Sequence, residues 1–168
     1  YKRSILAENF VQFLPQKRSE DVPFTKHAVS CCRNIQYIKK AMYMYVQHKE
    51  SLMHNPSLTN PENAERAFFY MHQHLRDAFP EELEALFIKE YLFPVALQRL
   101  SIHGKQDASK FIGQSILMYP DCLDNRYHKR SGAHMRVLVW MVVAEKFSAL
   151  TLFLRIKRLR NNILYGAK

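Results

Sequence analysis

Two adjacent carboxylates, Glu20 and Asp21, are the side chains of this sequence whose types and position are best suited to moving a proton. They stand directly before Val-Pro-Phe, and acids followed by a proline are typical of the first turn of a helix. Taken alone, the pair is therefore interpreted as a helix N-terminus at which negative charge complements the helix dipole.

The histidines of the chain do not form a metal-binding pattern. His72 and His74 are two residues apart, which places them on different faces of a helix, and neither has an acid four residues later. His27, His48 and His54 are scattered along the chain. These side chains are interpreted as surface or hydrogen-bonded histidines, and no metal ligand is assigned in this chain.

The cysteines and glycines exclude several classes of site. Cys31, Cys32 and Cys122 are odd in number and include an adjacent pair, which suits neither a disulfide framework nor a four-ligand zinc site. They indicate free thiols in a reducing compartment. All 4 glycines follow residue 100, so the N-terminal part contains neither a P-loop nor a dinucleotide-binding loop.

The net charge of +10 is concentrated at one end of the chain. Residues 1–124 are nearly neutral, with a net charge of +1, whereas residues 125–168 carry ten Lys and Arg against a single acid, Glu145. Such a segment is expected to meet an anionic neighbour, either lipid headgroups, nucleic acid or an acidic partner.

The carboxylate pair would be positioned by a helix that begins at Glu20 and Asp21 and has apolar residues at helical spacing. Alternation of apolar or aromatic residues with others over Asn34–Ile38 and Ala41–Gln47 predicts two short strands. Helices are then predicted from Pro61 to about Ala78, from Pro80 with a kink at Pro94, and from Asp107 to Met118.

The last predicted helix, from about Ser131 to Asn161, has an apolar stripe with basic residues mostly elsewhere. Its longest apolar run, Val137–Ala144, is far shorter than the roughly 20 residues needed to span a bilayer. The helix could lie on a membrane surface. Packing within the domain, or a contact within a homo-oligomer, is the alternative.

The stretch YKRSILAENFVQF, followed by SEDVPFTKHAVSCCRNIQYIKKAMYMYVQHKESLM, resembles the C-terminal half of bacterial family 2 glycosyltransferases of the GT-A fold. Such chains commonly contain, in this order, a tyrosine, a pair of basic residues, a short helix, an asparagine, an apolar-x-Phe motif and a Glu-Asp-apolar-x-Phe motif. A strand, an aromatic Tyr-x-Tyr strand, a basic residue and Ser-apolar-Met follow. The resemblance covers roughly residues 1–55, whereas residues 56–168 match only loosely, as a helical C-terminal region.

The resemblance implies an inverting glycosyltransferase that moves a sugar from a nucleotide-diphospho-sugar to an acceptor hydroxyl, commonly in cell-surface polysaccharide or glycan synthesis. Asp21 matches the aspartate of the family's Glu-Asp motif, which serves as general base. Glu20 would orient that site or contact the acceptor. A positioned base contributes about 10²–10⁴-fold to such a reaction.

Further site residues follow from the same resemblance. Tyr43 and Tyr45 would form an aromatic wall beside the active site, with tyrosines that merely cover a sheet as the alternative. Gln47, His48 and Ser51 fall where the family places a polar loop over the donor diphosphate, although a solvated loop has the same composition.

The sequence also departs from the family pattern. No Asp-x-Asp motif occurs in the chain, and Lys17, Arg18 and Ser19 replace the glycine that usually precedes the Glu-Asp pair. The divalent cation, Mg²⁺ or Mn²⁺, expected in the complete enzyme therefore has no ligands in this chain. The sequence is predicted to be the acceptor-side half of an enzyme, unable to bind the donor alone.

The expected fold is α+β and mostly helical. Two or three short strands near Asn34–Gln47 would extend the sheet of a GT-A α/β fold, and a helical region would follow. Residues 1–55 are accordingly predicted to be the acceptor-side end of the catalytic domain, and residues 56–168 to be a helical C-terminal region with a basic amphipathic last helix.

The alternative function is a non-catalytic helical binding module that docks on an anionic membrane or an acidic partner through its basic C-terminal helix. Nucleic acid is not an expected partner, because no stacking platform or known nucleic-acid motif is present. For the enzyme, the expected partners are a nucleotide-sugar donor and a glycan or lipid-linked acceptor. The expected location is the cytoplasm, peripherally at the inner membrane face.

Overall fold

The computed structural model describes residues 1–16, 19–44, 46 and 61–165. Helices make up 68% of the structure, and the described ranges contain no β-strand. The chain divides into two compact units, Tyr1–Leu83 and Glu84–Lys168, whose boundary lies within one helix.

The first unit is built from helices α1 (Arg3–Glu8), α2 (Asp21–Ser30) and α3 (Pro61–Leu75), and from the start of α4 (Pro80–Leu86). Helices α3 and α4 both begin at a proline, where the missing N–H needs no partner, as the sequence predicts. Helix α2 packs on α3, and the packed surfaces bury Ala28, Phe68 and Met71 completely.

The prediction of two or three short strands in a GT-A sheet near Asn34–Gln47 is wrong for the described residues of that range. Residues 34–44 and 46 are neither strand nor helix. Their large apolar side chains are 57% to 85% exposed: Ile35, Tyr37, Ile38, Met42, Tyr43, Met44 and Val46. The alternating pattern arranges side chains on two faces, but a strand forms only beside another that completes its backbone hydrogen bonds. The described part of the chain supplies no such partner.

The second unit contains the end of α4, a π-helical turn (Phe87–Leu92), α5 (Phe93–Ile102), α6 (Lys105–Ile116), a 3₁₀ turn (Cys122–Asp124), α7 (Arg126–Lys129), α8 (Ala133–Val143) and α9 (Phe147–Tyr165). Helix α5 packs against α6 and α8, and α6 also packs against α8. The core between them is almost entirely aliphatic and aromatic, with Phe87, Leu92 and Val95 fully buried.

The π-helical turn lies where the sequence predicts a kink at Pro94. The backbone N–H of Phe93 donates to the carbonyl of Ile88, five residues earlier, because a proline at position 94 disfavours the regular hydrogen-bonding pattern. In a regular α-helix, residues four apart are related by a rotation of about 40° more than one full turn, so a series of such residues moves gradually around the helix axis. The π turn has more residues per turn and compensates for this rotation. Adjacent residues at every fourth position therefore all remain buried: Phe87, Ile88, Tyr91, Leu92, Val95 and Ala96.

The last predicted helix, Ser131–Asn161, is instead two helices, α8 and α9, separated at residues 144–146. Glu145 adopts a left-handed backbone conformation with φ of 54°. The N–H of Glu145 donates to Val142 O and that of Lys146 donates to Met141 O, which is the Schellman pattern of a helix C-terminus. The Glu145 carboxylate also accepts a 2.7 Å hydrogen bond from Ser109 Oγ, which attaches the break to α6.

Candidate functional site

The two carboxylates identified in the sequence lie at the start of α2. Asp21 is the first residue of the helix and is exposed, and Glu20 is the N-cap residue, whose side chain makes no capping hydrogen bond. Ser19 directly before them has a left-handed φ of 60°, which turns the chain into the helix. The predicted helix start is therefore confirmed, with the carboxylates beside unpaired backbone N–H groups and the positive end of the helix dipole.

Aromatic packing fixes the first turn of α2. The Phe24 ring stacks on that of Phe13 with a centroid distance of 4.0 Å and an interplanar angle of 5°. Tyr1 meets the same ring edge-on at 5.9 Å. Pro23 beside it is buried and restricts the backbone dihedral angle φ two residues after Asp21. The backbone that carries Asp21 is thus held in place while the carboxylate itself remains accessible.

The far end of α2 is anchored by a cluster that sequence reasoning does not find. His27 Nδ1 lies 2.8 Å from Tyr70 Oη, within hydrogen-bonding distance. The His27 ring also stacks on His74, with centroids 4.1 Å apart, and Tyr70 meets His74 at 4.5 Å. Tyr70 and His74 are four residues apart on α3 and share one face, whereas His72 contacts Phe68. The sequence shows this spacing, but it does not show that His27 faces it.

The cluster favours the neutral forms of His27 and Tyr70. Burial lowers the pKa of His27, and the adjacent His74 lowers it further. Burial raises the pKa of Tyr70, the negative charge of a Cys31 thiolate would raise it as well, and the backbone N–H of Gln12 acts in the opposite direction. A proton on His27 therefore weakens the attachment of α2 to α3.

We predict that the chain loses stability between about pH 8 and about pH 5.5. The unfolded state binds a proton at His27 near the ordinary pKa of 6.5, whereas the folded state resists that proton, so the unfolded state holds more protons below this pH. The contribution of His27 to stability is complete well above pH 6.5 and falls as the pH drops toward the lowered folded pKa. Urea unfolding midpoints at the two pH values measure the effect.

The matched variants for this prediction are His27→Gln and His134→Gln. His27→Gln should remove part of the dependence of stability on pH. The remaining part is expected from His128, whose pKa is lowered mainly by burial and also by Arg136. His134 is exposed, so its replacement should leave the dependence intact. A pH dependence identical in all three proteins would contradict the role of His27.

Of the other predicted site residues, Tyr43 alone lies in the part of the chain that the structure describes. Tyr43 is 84% exposed in the non-helical segment, so its ring has almost no contact with the rest of the protein, Asp21 included. Tyr45, Gln47, His48 and Ser51 lie outside the described residues, as does the predicted domain boundary after residue 55. Of the predicted site residues that the structure describes, Glu20 and Asp21 therefore lie together at one helix end, and Tyr43 is not packed against them.

A second polar cluster, in the other unit, has a structural role. The buried Asn125 caps α7, with its Oδ1 accepting from the backbone N–H groups of Tyr127 and His128, and its Nδ2 donates to Glu84 Oε2 at 2.7 Å. Burial, together with the charge of Glu84, raises the pKa of the neighbouring Cys122 to about 11. This thiol is protonated at neutral pH and is a poor nucleophile.

Metal binding finds no support in the part of the chain that the structure describes, where no group of three or more His, Cys, Asp or Glu could hold an ion. Comparisons of the chain with protein-family models, with curated proteins and with solved structures find no match.

Proposed function

We propose that this chain is the acceptor-side part of an inverting glycosyltransferase in which Asp21 is the general base. The observation that carries the proposal is the exposed Asp21 carboxylate at the first residue of a helix that is packed along its length. The reaction class is inferred from the order and spacing of short sequence motifs in residues 1–55, which resemble those of family 2 glycosyltransferases.

In the proposed reaction, a carboxylate oxygen of Asp21 accepts the proton of an acceptor hydroxyl. The hydroxyl oxygen forms a bond to the anomeric carbon of the donor sugar, and the bond from that carbon to the phosphate oxygen breaks. The nucleoside diphosphate leaves with the bonding electron pair. Attack from the face opposite to the leaving group inverts the anomeric configuration. Glu20, adjacent in the chain, orients the acceptor or the base.

The packing of α2 is what makes Asp21 suitable for this role. A base accelerates proton transfer when it is held within hydrogen-bond reach of its substrate, and small displacements are costly. The Phe24 stack holds the first turn, and His27 contacts Tyr70 about 4.5 Å further along the helix axis. Two attachments on one helix fix both the position and the direction of its N-terminus.

The donor side of the proposal depends on residues outside this chain. A divalent cation, Mg²⁺ or Mn²⁺, would neutralise charge on the departing diphosphate, with ligands in the donor-binding part of the complete enzyme. Tyr43 and Tyr45 are proposed to cover the acceptor sugar, and Gln47, His48 and Ser51 to approach the diphosphate. The pathway proposed is the synthesis of a cell-surface polysaccharide or glycan.

The reaction class is tested with the protein that joins this chain to its donor-binding part. Panels of nucleoside-diphosphate sugars and glycan acceptors are screened for release of nucleoside diphosphate, and the anomeric configuration of the product is assigned by NMR. We expect release that depends on the acceptor and a product of inverted configuration. A product of retained configuration, or no transfer with any pair, would contradict the proposal. Micromolar binding of a donor by the 168-residue chain alone would contradict the division into two sides.

A further inference from the structure

Helix α8 carries large apolar side chains on its outer side as well as on its inner side. Leu138, Val139 and Val142 point into the core and are buried. Val137 and Trp140 lie on the opposite side and are exposed, with Trp140 51% accessible. A surface helix of a globular protein ordinarily turns polar residues outward, and a helix that is apolar all round is ordinarily covered on every side.

Helix α9 repeats this arrangement over the part whose side chains are described. Phe147 and Leu150 are buried toward the core. Leu152, Phe153 and Ile156 are 60%, 36% and 56% exposed. The outward residues of α8 and α9 are therefore Val137, Trp140, Leu152, Phe153 and Ile156. They are large, and helical spacing places them together on the outer side of each helix.

Basic side chains accompany the outward residues. Arg136 on α8, Lys146 between the helices and Arg155 on α9 are all exposed. The segment from residue 125 to residue 168 carries a net charge of +9. None of the helices in the described ranges combines the length and the apolar character needed to cross a bilayer. Exposed apolar side chains in a strongly basic segment suit a lipid bilayer surface, where anionic headgroups cover an apolar interior.

We propose that the outward residues of α8 and α9 dock on the surface of an anionic lipid bilayer. Val137, Trp140, Leu152, Phe153 and Ile156 enter the boundary between headgroups and acyl chains, and the basic side chains contact lipid phosphates. A second copy of this chain fits the surface less well, because pairing would bring two segments of net charge +9 together. The docking does not depend on the proposed role of Asp21.

The single tryptophan of the chain makes this proposal directly measurable, because Trp140 is itself one of the outward residues. The 168-residue chain is titrated with vesicles of pure phosphatidylcholine and with vesicles that also contain phosphatidylglycerol. With the anionic vesicles we expect a blue shift of the Trp140 emission and quenching by lipids brominated in the acyl chain. Both effects should be lost in about 1 M salt, where the Debye length is about 3 Å.

Variants that retain Trp140 can distinguish insertion of apolar side chains into the bilayer from purely electrostatic attraction. Leu152→Glu and Ile156→Glu should each lower the partition coefficient on anionic vesicles by at least about tenfold, because each removes an inserted apolar side chain. Leu117→Glu is the matched control, since Leu117 is 76% exposed but lies at the end of α6. It should bind as the unchanged chain does, and circular dichroism confirms that all three variants are folded.

Other partners bound at this surface would change the Trp140 emission under different conditions. A blue shift that grows with protein concentration in the absence of vesicles assigns the surface to a second copy and overturns the proposal. A shift with polyglutamate but not with vesicles assigns it to an acidic protein partner and overturns it too. Equal binding to neutral and anionic vesicles, or equal loss in Leu117→Glu and Leu152→Glu, would also overturn it.

Discussion

Replacement of Asp21 by Asn is expected to slow sugar transfer by about 10²–10⁴-fold. Asparagine has the same shape as aspartate and can hold the acceptor by a hydrogen bond, but its amide does not take up the proton. The helix loses one favourable charge at its N-terminus, worth about 0.3–1 kcal/mol, so the protein should remain folded. Initial rates of nucleoside diphosphate release, in the protein that joins this chain to its donor-binding part, measure the loss.

The matched control for this variant is Glu62→Gln. Glu62 is also an exposed acid in the first turn of a helix, α3, so its replacement removes the same kind of interaction with a helix dipole. Both variants should remain folded, whereas Asp21→Asn alone should lose activity. An unchanged rate in Asp21→Asn would leave Asp21 as a charge that complements the helix dipole.

Replacement of Phe68 by Ala is expected to lower the free energy of unfolding by about 3–5 kcal/mol. Phe68 lies on α3 with its side chain fully buried, and its removal leaves a cavity that the surrounding helices fill only in part. Since small domains are stable by only about 5–15 kcal/mol, this single change consumes a large part of the total. Urea unfolding followed by far-UV circular dichroism measures it.

The neighbouring residue on the same helix supplies the control. Phe69 is 47% exposed, and Phe69→Ala should cost about 1 kcal/mol or less. Both variants make the same chemical change and the same change in helix propensity, so the difference between them isolates burial. Equal destabilisation by the two variants would show that Phe68 is not part of a packed core.

Helix starts are the features that the sequence predicts best. The proline that opens α3, the proline that opens α4 and the acids before Pro23 each act on the backbone within a few residues, so local reasoning suffices. The end of α8 is different, since its Schellman motif is centred on Glu145, a residue that rarely adopts a left-handed conformation. Nothing in the sequence near Glu145 indicates that the helix stops there.

The strands near Asn34 show the limit of pattern reasoning. Alternation describes which residues would share a face of a strand, but the energy of a strand comes from a neighbouring strand that the pattern does not contain. The same limit applies to the candidate site. Glu20 and Asp21 could be placed because a helix start is local, whereas the contact of His27 with Tyr70 joins residues 43 positions apart.

The π turn before Pro94 has a consequence for the evolution of this chain. From Phe87 to Val95 the chain uses eight residues for two helical turns, whereas two turns of regular α-helix need about 7.2. The π turn therefore contains about one residue more than a regular α-helix would. A relative that lost one residue there, at the exposed Lys89 for example, would keep both buried faces in register. It should also have lost the proline at position 94, because the regular helix would restore the clash that the wider turn avoids. In an alignment of relatives, a one-residue gap and the absence of that proline should therefore occur together.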